Sequence, residues 1–161
     1  MTANPPAKTI EAKSLRTATV AVIDDQVRLA TAIVRMLVQG GRYACNGIYP
    51  DIASALRELR QKPPDILLLD VHLPGMSGLK GMGKLRQLLP TTRILFLTCD
   101  DSDRLLSEVI EAEADGLILK GVPSPRLSEL LDQAMRGEPA LCGAATRMLV
   151  ERHRRRDRHP R

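Results

Sequence analysis

The sequence contains very few aromatic residues: Phe96, Tyr43 and Tyr49 are all of them, and tryptophan is absent. Proteins that bind single-stranded nucleic acids stack successive bases on aromatic side chains. The scarcity of aromatics therefore argues against a platform of that kind, and the core must be aliphatic. A hydrophobic fraction of 43% is enough for an ordinary core, and 161 residues suggest one domain with an extension.

The sequence also lacks a cysteine framework and a long apolar run. Cys45, Cys99 and Cys142 are odd in number, far apart and without CxxC spacing, so they are predicted to be reduced thiols. No stretch approaches the ~20 apolar residues of a membrane span, and residues 1–16 lack the apolar stretch of a signal peptide. We therefore expect a cytoplasmic protein with no membrane contact.

The excess of positive charge lies in one short segment. The net charge is +5, and residues 152–161 alone hold six arginines against one aspartate. The remaining chain has 18 basic and 18 acidic residues, so its charge is balanced and does not indicate a nucleic-acid-binding face. The arginine segment is interpreted as a solvated tail, with contact to phosphate backbones or to an acidic partner as the alternative.

Strand-like and helix-like segments alternate along the chain. Ile66 to Leu69 form a continuous apolar run, which is typical of a strand covered on both faces. Five such alternations predict a parallel sheet with helices on both faces. Residues 1–16 are predicted to be a disordered arm, 17–137 the folded domain, and 138–161 a helix followed by the basic tail. The predicted strands are 17–23, 43–49, 66–69, 93–97 and 116–119, and the predicted helices are 28–38, 53–60, 79–89, 103–112 and 125–135.

Polar residues follow four of the predicted strands directly: Asp24 and Asp25, then Asp70, Thr98 and Lys120. Each has an ordinary structural explanation when taken alone, because an acidic pair after a strand is often a helix cap and a lone lysine is usually solvated. In open α/β sheets, however, ligands bind beyond the carboxyl ends of the strands. All five residues at that one edge therefore indicate a functional site.

The motifs at these positions resemble those of the receiver domains of response regulators. The acidic pair in VIDDQ, the aspartate in LLLDVHLPGMSG, the threonine in LFLTC and the lysine in ADGLILKG all agree in spacing, over about residues 18–137. The resemblance implies a doubly wound, flavodoxin-like (βα)5 fold with five parallel strands in the order 2-1-3-4-5. Within LPGMSG, Gly75 and Gly78 are interpreted as turn residues.

The resemblance also implies a role for each residue of the site. Asp70 would be the phosphoacceptor, and Thr98 and Lys120 would contact the phosphoryl group once it has been transferred. The implied ligands of Mg²⁺ are Asp25, Asp70, the backbone carbonyl of His72 and, through a water molecule, Asp24.

The chemistry calls for these residue types independently of the resemblance. Converging carboxylates repel one another and repel a negatively charged phosphoryl donor. A hard cation such as Mg²⁺ prefers oxygen ligands and offsets this charge, and a lysine adds a mobile positive charge for the remaining oxygens. We therefore expect Mg²⁺ as the cofactor. The resemblance further implies a phosphoacceptor that catalyses its own phosphorylation and dephosphorylation, rather than an enzyme acting on a separate substrate.

Two positions depart from the pattern of receiver domains. Cys99 follows the threonine, where the family usually has a very small residue, and it is expected to narrow access to Asp70. Leu117 lies three residues before the lysine, where many receivers have an aromatic residue that swings inward on activation. A leucine presents a smaller surface change, so the usual relay through threonine and an aromatic ring is expected to be weaker.

The segment RGEPALCGAATRMLVERHRRR resembles the linker of LuxR-type (NarL-like) transcription regulators, and residues 144–154 would form its helix. No helix-turn-helix pattern follows it, so the leading hypothesis is a receiver that switches a partner-binding surface. The alternative is a receiver fragment of a LuxR-type DNA-binding regulator. A haloacid-dehalogenase-like phosphotransferase is less compatible, because that class has a second aspartate where this chain has His72.

The partners that follow from this interpretation are a histidine kinase or a phosphotransfer protein, and possible homodimer formation. Sequence-specific DNA binding by this chain is not expected, because the chain up to residue 151 is charge-neutral and has no recognition helix.

Overall fold

The computed structural model describes residues 16–143 and 145–147. The predicted N-terminal arm, except for Arg16, and the basic tail lie outside the described residues. The predicted linker helix over 144–154 also lies mostly outside them, although residues 145–147 are helical. Among the described residues, no helix is both long and apolar enough to cross a membrane.

One parallel sheet forms the centre of the described chain. Its strands run in the order β2-β1-β3-β4-β5-β6, which confirms the predicted order 2-1-3-4-5 and adds a short sixth strand beside β5. The strands are β1 (Ala18–Ile23), β2 (Tyr43–Tyr49), β3 (Ile66–Asp70), β4 (Arg93–Thr98), β5 (Gly116–Leu119) and β6 (Ala140–Leu141).

Five helices connect the strands, and their ends lie within one residue of the predicted ends. Local capping explains three of the starts: the side chains of Asp51, Ser77 and Ser102 accept hydrogen bonds from backbone N–H groups three residues later. The helices are α1 (Val27–Gln39), α2 (Ile52–Leu59), α3 (Gly78–Leu88), α4 (Asp103–Glu111) and α5 (Ser124–Met135).

The core has two layers because alternate side chains of the strands point to opposite faces of the sheet. Helices α2, α3 and α4 pack on one face, where Phe96 is fully buried among aliphatic residues. Helices α1 and α5 pack on the other face, around Leu68 and Leu95. The central strands are buried on both faces, as their continuous apolar runs predict.

Strand β6 lies beyond residue 137, where the folded domain is predicted to end. The backbone N–H of Ala140 donates to the carbonyl of Asp115 at 3.0 Å, and that of Cys142 donates to Leu117 at 3.1 Å. This close pairing requires a glycine at 116, because a Cβ there would lie 2.2 Å from the carbonyl oxygen of Ala140. Strand β6 therefore continues the sheet past the predicted boundary.

Candidate functional site

The five polar residues predicted to form a site do meet at the carboxyl edge of the sheet. Asp24 follows β1 directly, and Lys120 follows β5. Asp70 and Thr98 are the last residues of β3 and β4, each one residue earlier than the sequence analysis places them relative to the strand end. Asp24, Asp70 and Thr98 are buried, whereas Asp25 is exposed. The site therefore has a buried floor and one carboxylate facing solvent.

Asp70 lies in the floor, with each carboxylate oxygen bound to a different donor. Its Oδ1 accepts a hydrogen bond from the backbone N–H of His72 at 3.1 Å, and its Oδ2 accepts one from Lys120 Nζ at 3.0 Å. Burial raises the pKa of the Asp70 carboxyl, and the Asp24 carboxylate adds to the rise, while these two hydrogen bonds oppose it. The net result is a pKa above the usual range of an aspartate.

The ammonium group of Lys120 lies between two carboxylates. Its Nζ is 2.7 Å from Asp24 Oδ2 and 3.0 Å from Asp70 Oδ2, and its side chain is 5% exposed. Burial on its own would lower the pKa of Lys120, but the contacts with Asp24 and Asp70 outweigh it and the pKa is raised. Lys120 is therefore charged, and it is one cation shared by two buried acids.

The three aspartates form a group suited to a metal ion. One carboxylate oxygen from each of Asp24, Asp25 and Asp70 lies within 4.8 Å of the other two. Asp24 Oδ2 is buried and accepts no hydrogen bond of normal geometry among the described residues, although Lys120 Nζ is close to it. Three carboxylates with one ammonium leave excess negative charge, and hard oxygen donors of this kind fit a hard divalent cation.

Thr98 connects the site to the loop before α4. Its Oγ1 accepts a hydrogen bond from the backbone N–H of Asp100 at 3.0 Å, and its carbonyl accepts one from the N–H of Lys120 at 2.8 Å. The neighbouring Cys99 is exposed. Its effect on access to Asp70 stays a prediction.

Gly78 also shapes the site, although its sequence context predicts only a turn. A Cβ at this position would lie 2.2 Å from the carbonyl oxygen of Asp70, so a side chain does not fit. The N–H of Gly78 donates to the carbonyl of Val71 at 3.0 Å, which holds the start of α3 against the end of β3. The sequence does contain a signal for this close contact. A turn after β3 needs only one glycine, Gly75, so a second glycine three residues later indicates a further steric requirement.

Leu117, which stands in the position that is aromatic in many receivers, is covered by the segment after α5. It is 3% exposed and belongs to the same core cluster as Cys142 and Ala145. The cavity beside it, lined partly by Leu106 and Ser102, has a volume of only about 10 Å³. Leu117 is therefore packed in the core with very little free volume beside it.

The chain is similar in sequence to known proteins. The family model described as the response regulator receiver domain matches residues 20–132. The nitrate/nitrite response regulator protein NarL of Escherichia coli (strain K12) is 29% identical over 133 residues, which cover 83% of this chain and 62% of NarL. The chain thus spans less than two thirds of this relative.

Solved structures are similar as well. A LuxR-family two-component response regulator from Aurantimonas sp. SI85-9A1 superposes with a TM-score of 0.78 at 25% identity, over 86% of this chain and 99% of that one. The structure of two RcsB dimers bound to two parallel DNAs gives a TM-score of 0.76 at 21% identity, over 83% of this chain and 68% of that one. At that identity, RcsB supports the fold alone.

Proposed function

This chain belongs to the family of response regulator receiver domains, and from that premise we propose that Asp70 accepts a phosphoryl group from a histidine kinase or a phosphotransfer protein. The domain is the receiver of a two-component response regulator related to the NarL and LuxR types. The observation that carries the proposal is the buried Asp70 carboxylate, which faces Lys120 and shares an edge with Asp24 and Asp25.

Mg²⁺ is the proposed cofactor, because the acidic group offers hard oxygen donors in excess of the nearby positive charge. The proposed ligands are Asp25, Asp70 and the backbone carbonyl of His72, with Asp24 acting through a water molecule. When bound, the cation would neutralise the charge shared between the acceptor and the incoming phosphoryl group.

Transfer forms a bond between an Asp70 carboxylate oxygen and phosphorus, and it breaks the bond from phosphorus to the donor's leaving group. Lys120 Nζ already contacts Asp70 Oδ2 and Asp24 Oδ2, so a small movement brings it onto a phosphoryl oxygen. The hydroxyl oxygen of Thr98 accepts from Asp100, which leaves the hydroxyl hydrogen to donate to another phosphoryl oxygen. These roles make the domain a self-modifying phosphoacceptor rather than an enzyme with a separate substrate.

Phosphorylation would be read out through the loop after Thr98. Recruiting the Thr98 hydroxyl to the phosphoryl group pulls on its hydrogen bond with Asp100 and so on the start of α4. Because Leu117 is already packed under Cys142 and Ala145, the change is expected to reach the segment after α5 rather than an inward-swinging side chain. Regulation of transcription and homodimer formation, as in related regulators, are further parts of the proposal, and this chain itself is not proposed to recognise a DNA sequence.

The test is uptake of one phosphoryl group by the intact chain from acetyl phosphate and Mg²⁺, followed by mass spectrometry. The parent protein is expected to form an adduct that is stable in acid and labile in base, and Asp70→Asn is expected to form none. Asp103→Asn, which removes an exposed carboxylate on α4, is the matched control and should behave as the parent does. Stoichiometric uptake by Asp70→Asn would contradict the assignment of the acceptor.

A further inference from the structure

Helices α2, α3 and α4 form one layer on the same face of the sheet. All three pack on a shared core, with α2 in contact with β2 and α3, and α4 in contact with β5 at the other side. The order across the layer is therefore α2, α3, α4. Charge is distributed very unevenly over this layer.

A basic groove runs between α2 and α3. It has a volume of about 620 Å³ and is lined by the cationic side chains of Arg57, Arg60 and Lys84 over the partly buried Leu56 and Leu88. The three cations are exposed, and none is within ion-pair distance of an acid among the residues the structure describes. Unpaired cations over an apolar floor favour a negatively charged, partly apolar occupant.

The surface of α4 has the opposite charge. Residues 100–113, which include α4 and its flanks, hold six acidic residues and only one basic residue, Arg104. Asp101, Asp103, Glu111 and Glu113 are exposed and form no ion pair within the described part of the chain. Ile110 lies on the same helix with 37% of its surface exposed. Helix α4 is therefore an acidic, amphipathic ridge with an accessible apolar side chain.

We propose that two copies of this chain associate face to face through this layer, with α4 of each copy seated in the α2–α3 groove of the other. A two-fold axis parallel to the strands reverses the order of the helices in the second copy. Helix α4 of each copy then lies opposite α2 and α3 of the other, so the same contact forms twice. Such a closed, self-complementary contact is the commonest form of homodimer symmetry.

The ion pairs and the apolar contacts contribute differently to this dimer. Exposed ion pairs contribute little free energy individually, and they mainly fix the orientation and accelerate association. Burial of Ile110 against Leu56 and Leu88 supplies the apolar part of the contact. A second copy is the occupant that the structure favours, because the acidic surface complementary to the groove lies on the chain itself.

This proposal does not rest on phosphoryl transfer. The experiment is sedimentation velocity on the unphosphorylated full chain, at increasing protein concentration, in about 50 mM and about 300 mM salt. A concentration-dependent dimer that weakens at the higher salt is expected. A chain that stays monomeric at all concentrations would overturn the proposal, while the assignment of the phosphoacceptor would be unaffected.

Charge reversal locates the contact. Arg60→Glu with Lys84→Glu places two acids in the groove, and Glu111→Lys with Glu113→Lys places two bases at the C-terminal end of α4. Each double variant is expected to weaken its own association about tenfold or more. An equimolar mixture of the two variants restores complementary charge at both contacts, so it is expected to dimerise as the parent does. Restoration also shows that both variants are folded, and its failure would overturn the proposal.

Two controls separate this contact from others. Arg28→Glu with Arg35→Glu makes the same change in charge on α1, on the opposite face of the sheet, and is expected to leave the Kd unchanged. Deleting residues 152–161 removes the six arginines of the tail and is also expected to leave it unchanged. Loss of the dimer in either control would assign the association to a different surface.

Discussion

Two aspartates at opposite ends of the sheet have pKa values shifted in opposite directions. Asp70, at the carboxyl edge, has a raised pKa, whereas Asp115, at the amino end of β5, has a lowered one. Both are partly or wholly withdrawn from solvent, so burial tends to raise the pKa of each. The difference lies in what surrounds the carboxylate.

Asp115 has a full set of donors. It accepts from Arg86 at 2.9 Å, from Arg93 at 3.2 Å and from the backbone N–H of Ile94 at 2.8 Å. Burial would raise its pKa, but the hydrogen bonds from Ile94 and from Arg86 outweigh that effect. Asp70, by contrast, shares one ammonium with Asp24. The negative charge of Asp115 is thus fully compensated at one end of the sheet, whereas the charges of Asp24 and Asp70 are only partly compensated at the other.

The largest effect on stability is expected at Asp115. Asp115→Ala should lower the free energy of unfolding by about 2 kcal/mol, because it leaves the buried Ile94 N–H without an acceptor and removes the partner of two partly exposed arginines. Asp70→Ala should change it by less than about 1 kcal/mol, since removing one of two repelling acids compensates for the lost contacts. Urea denaturation of both variants checks the contrast, and equal losses would contradict it.

The next expected effect concerns metal binding. Asp25→Ala should weaken Mg²⁺ binding at least about tenfold, because it removes the exposed member of the carboxylate group. Isothermal titration calorimetry of the unphosphorylated protein measures this change. Asp101→Ala, an exposed acid on the flank of α4, serves as the control for general loss of charge. Unchanged affinity in Asp25→Ala would exclude it as a ligand.

The pH dependence of stability should show a smaller contribution from Asp115. Its lowered pKa means that the unfolded chain, in which an aspartate has a pKa of about 3.9, binds more protons than the folded chain at acid pH. The stabilisation by Asp115 is therefore complete at pH values above its pKa in the unfolded chain. It is lost as the pH falls through its lower pKa in the folded chain. The difference in unfolding free energy between the parent and Asp115→Asn should shrink below about pH 4. A difference that stays constant down to the lowest pH at which both fold would show that the charge is not responsible.

The smallest effect is expected at Cys99. Cys99→Ala should accelerate phosphorylation by acetyl phosphate a few-fold, about 1 kcal/mol of activation free energy or less, because a smaller side chain widens the approach to Asp70. Rates are measured by stopped mixing and mass spectrometry at one concentration of Mg²⁺. Equal rates for the two proteins would show that the exposed thiol points away from the acceptor.

The carboxyl edge of the sheet was predictable because its placement follows from connectivity alone. In a parallel sheet all strands end on the same side, so Asp24, Asp70 and Thr98 had to converge once the strands were located. The runs around these residues are strongly apolar, which made the strands easy to find. Assigning roles to the residues went further, and it depended on the resemblance to receiver domains rather than on spacing.

Features that depend on a single close contact were not predictable. The network around Asp115 joins arginines 22 and 29 residues away in sequence, and no periodic pattern connects them. Strand β6 has only two residues, so it leaves no alternation to detect, and it exists because Gly116 has no Cβ. Gly78 was assigned to a turn, although its position is determined by the carbonyl of Asp70.

Strand β6 has a consequence for where this domain can be cut. Without Ala140 and Leu141, the backbone groups along β5 would form the outer margin of the sheet, and part of the cover over Leu117 would be lost. An open row of N–H and C=O groups is a template onto which another polypeptide can add, and the usual outcome is aggregation. A fragment ending at residue 137 would therefore keep every group of the proposed phosphoacceptor site and still be prone to precipitate. Ala140 and Leu141 are therefore expected to contribute to the solubility of the domain and not to the chemistry of its site.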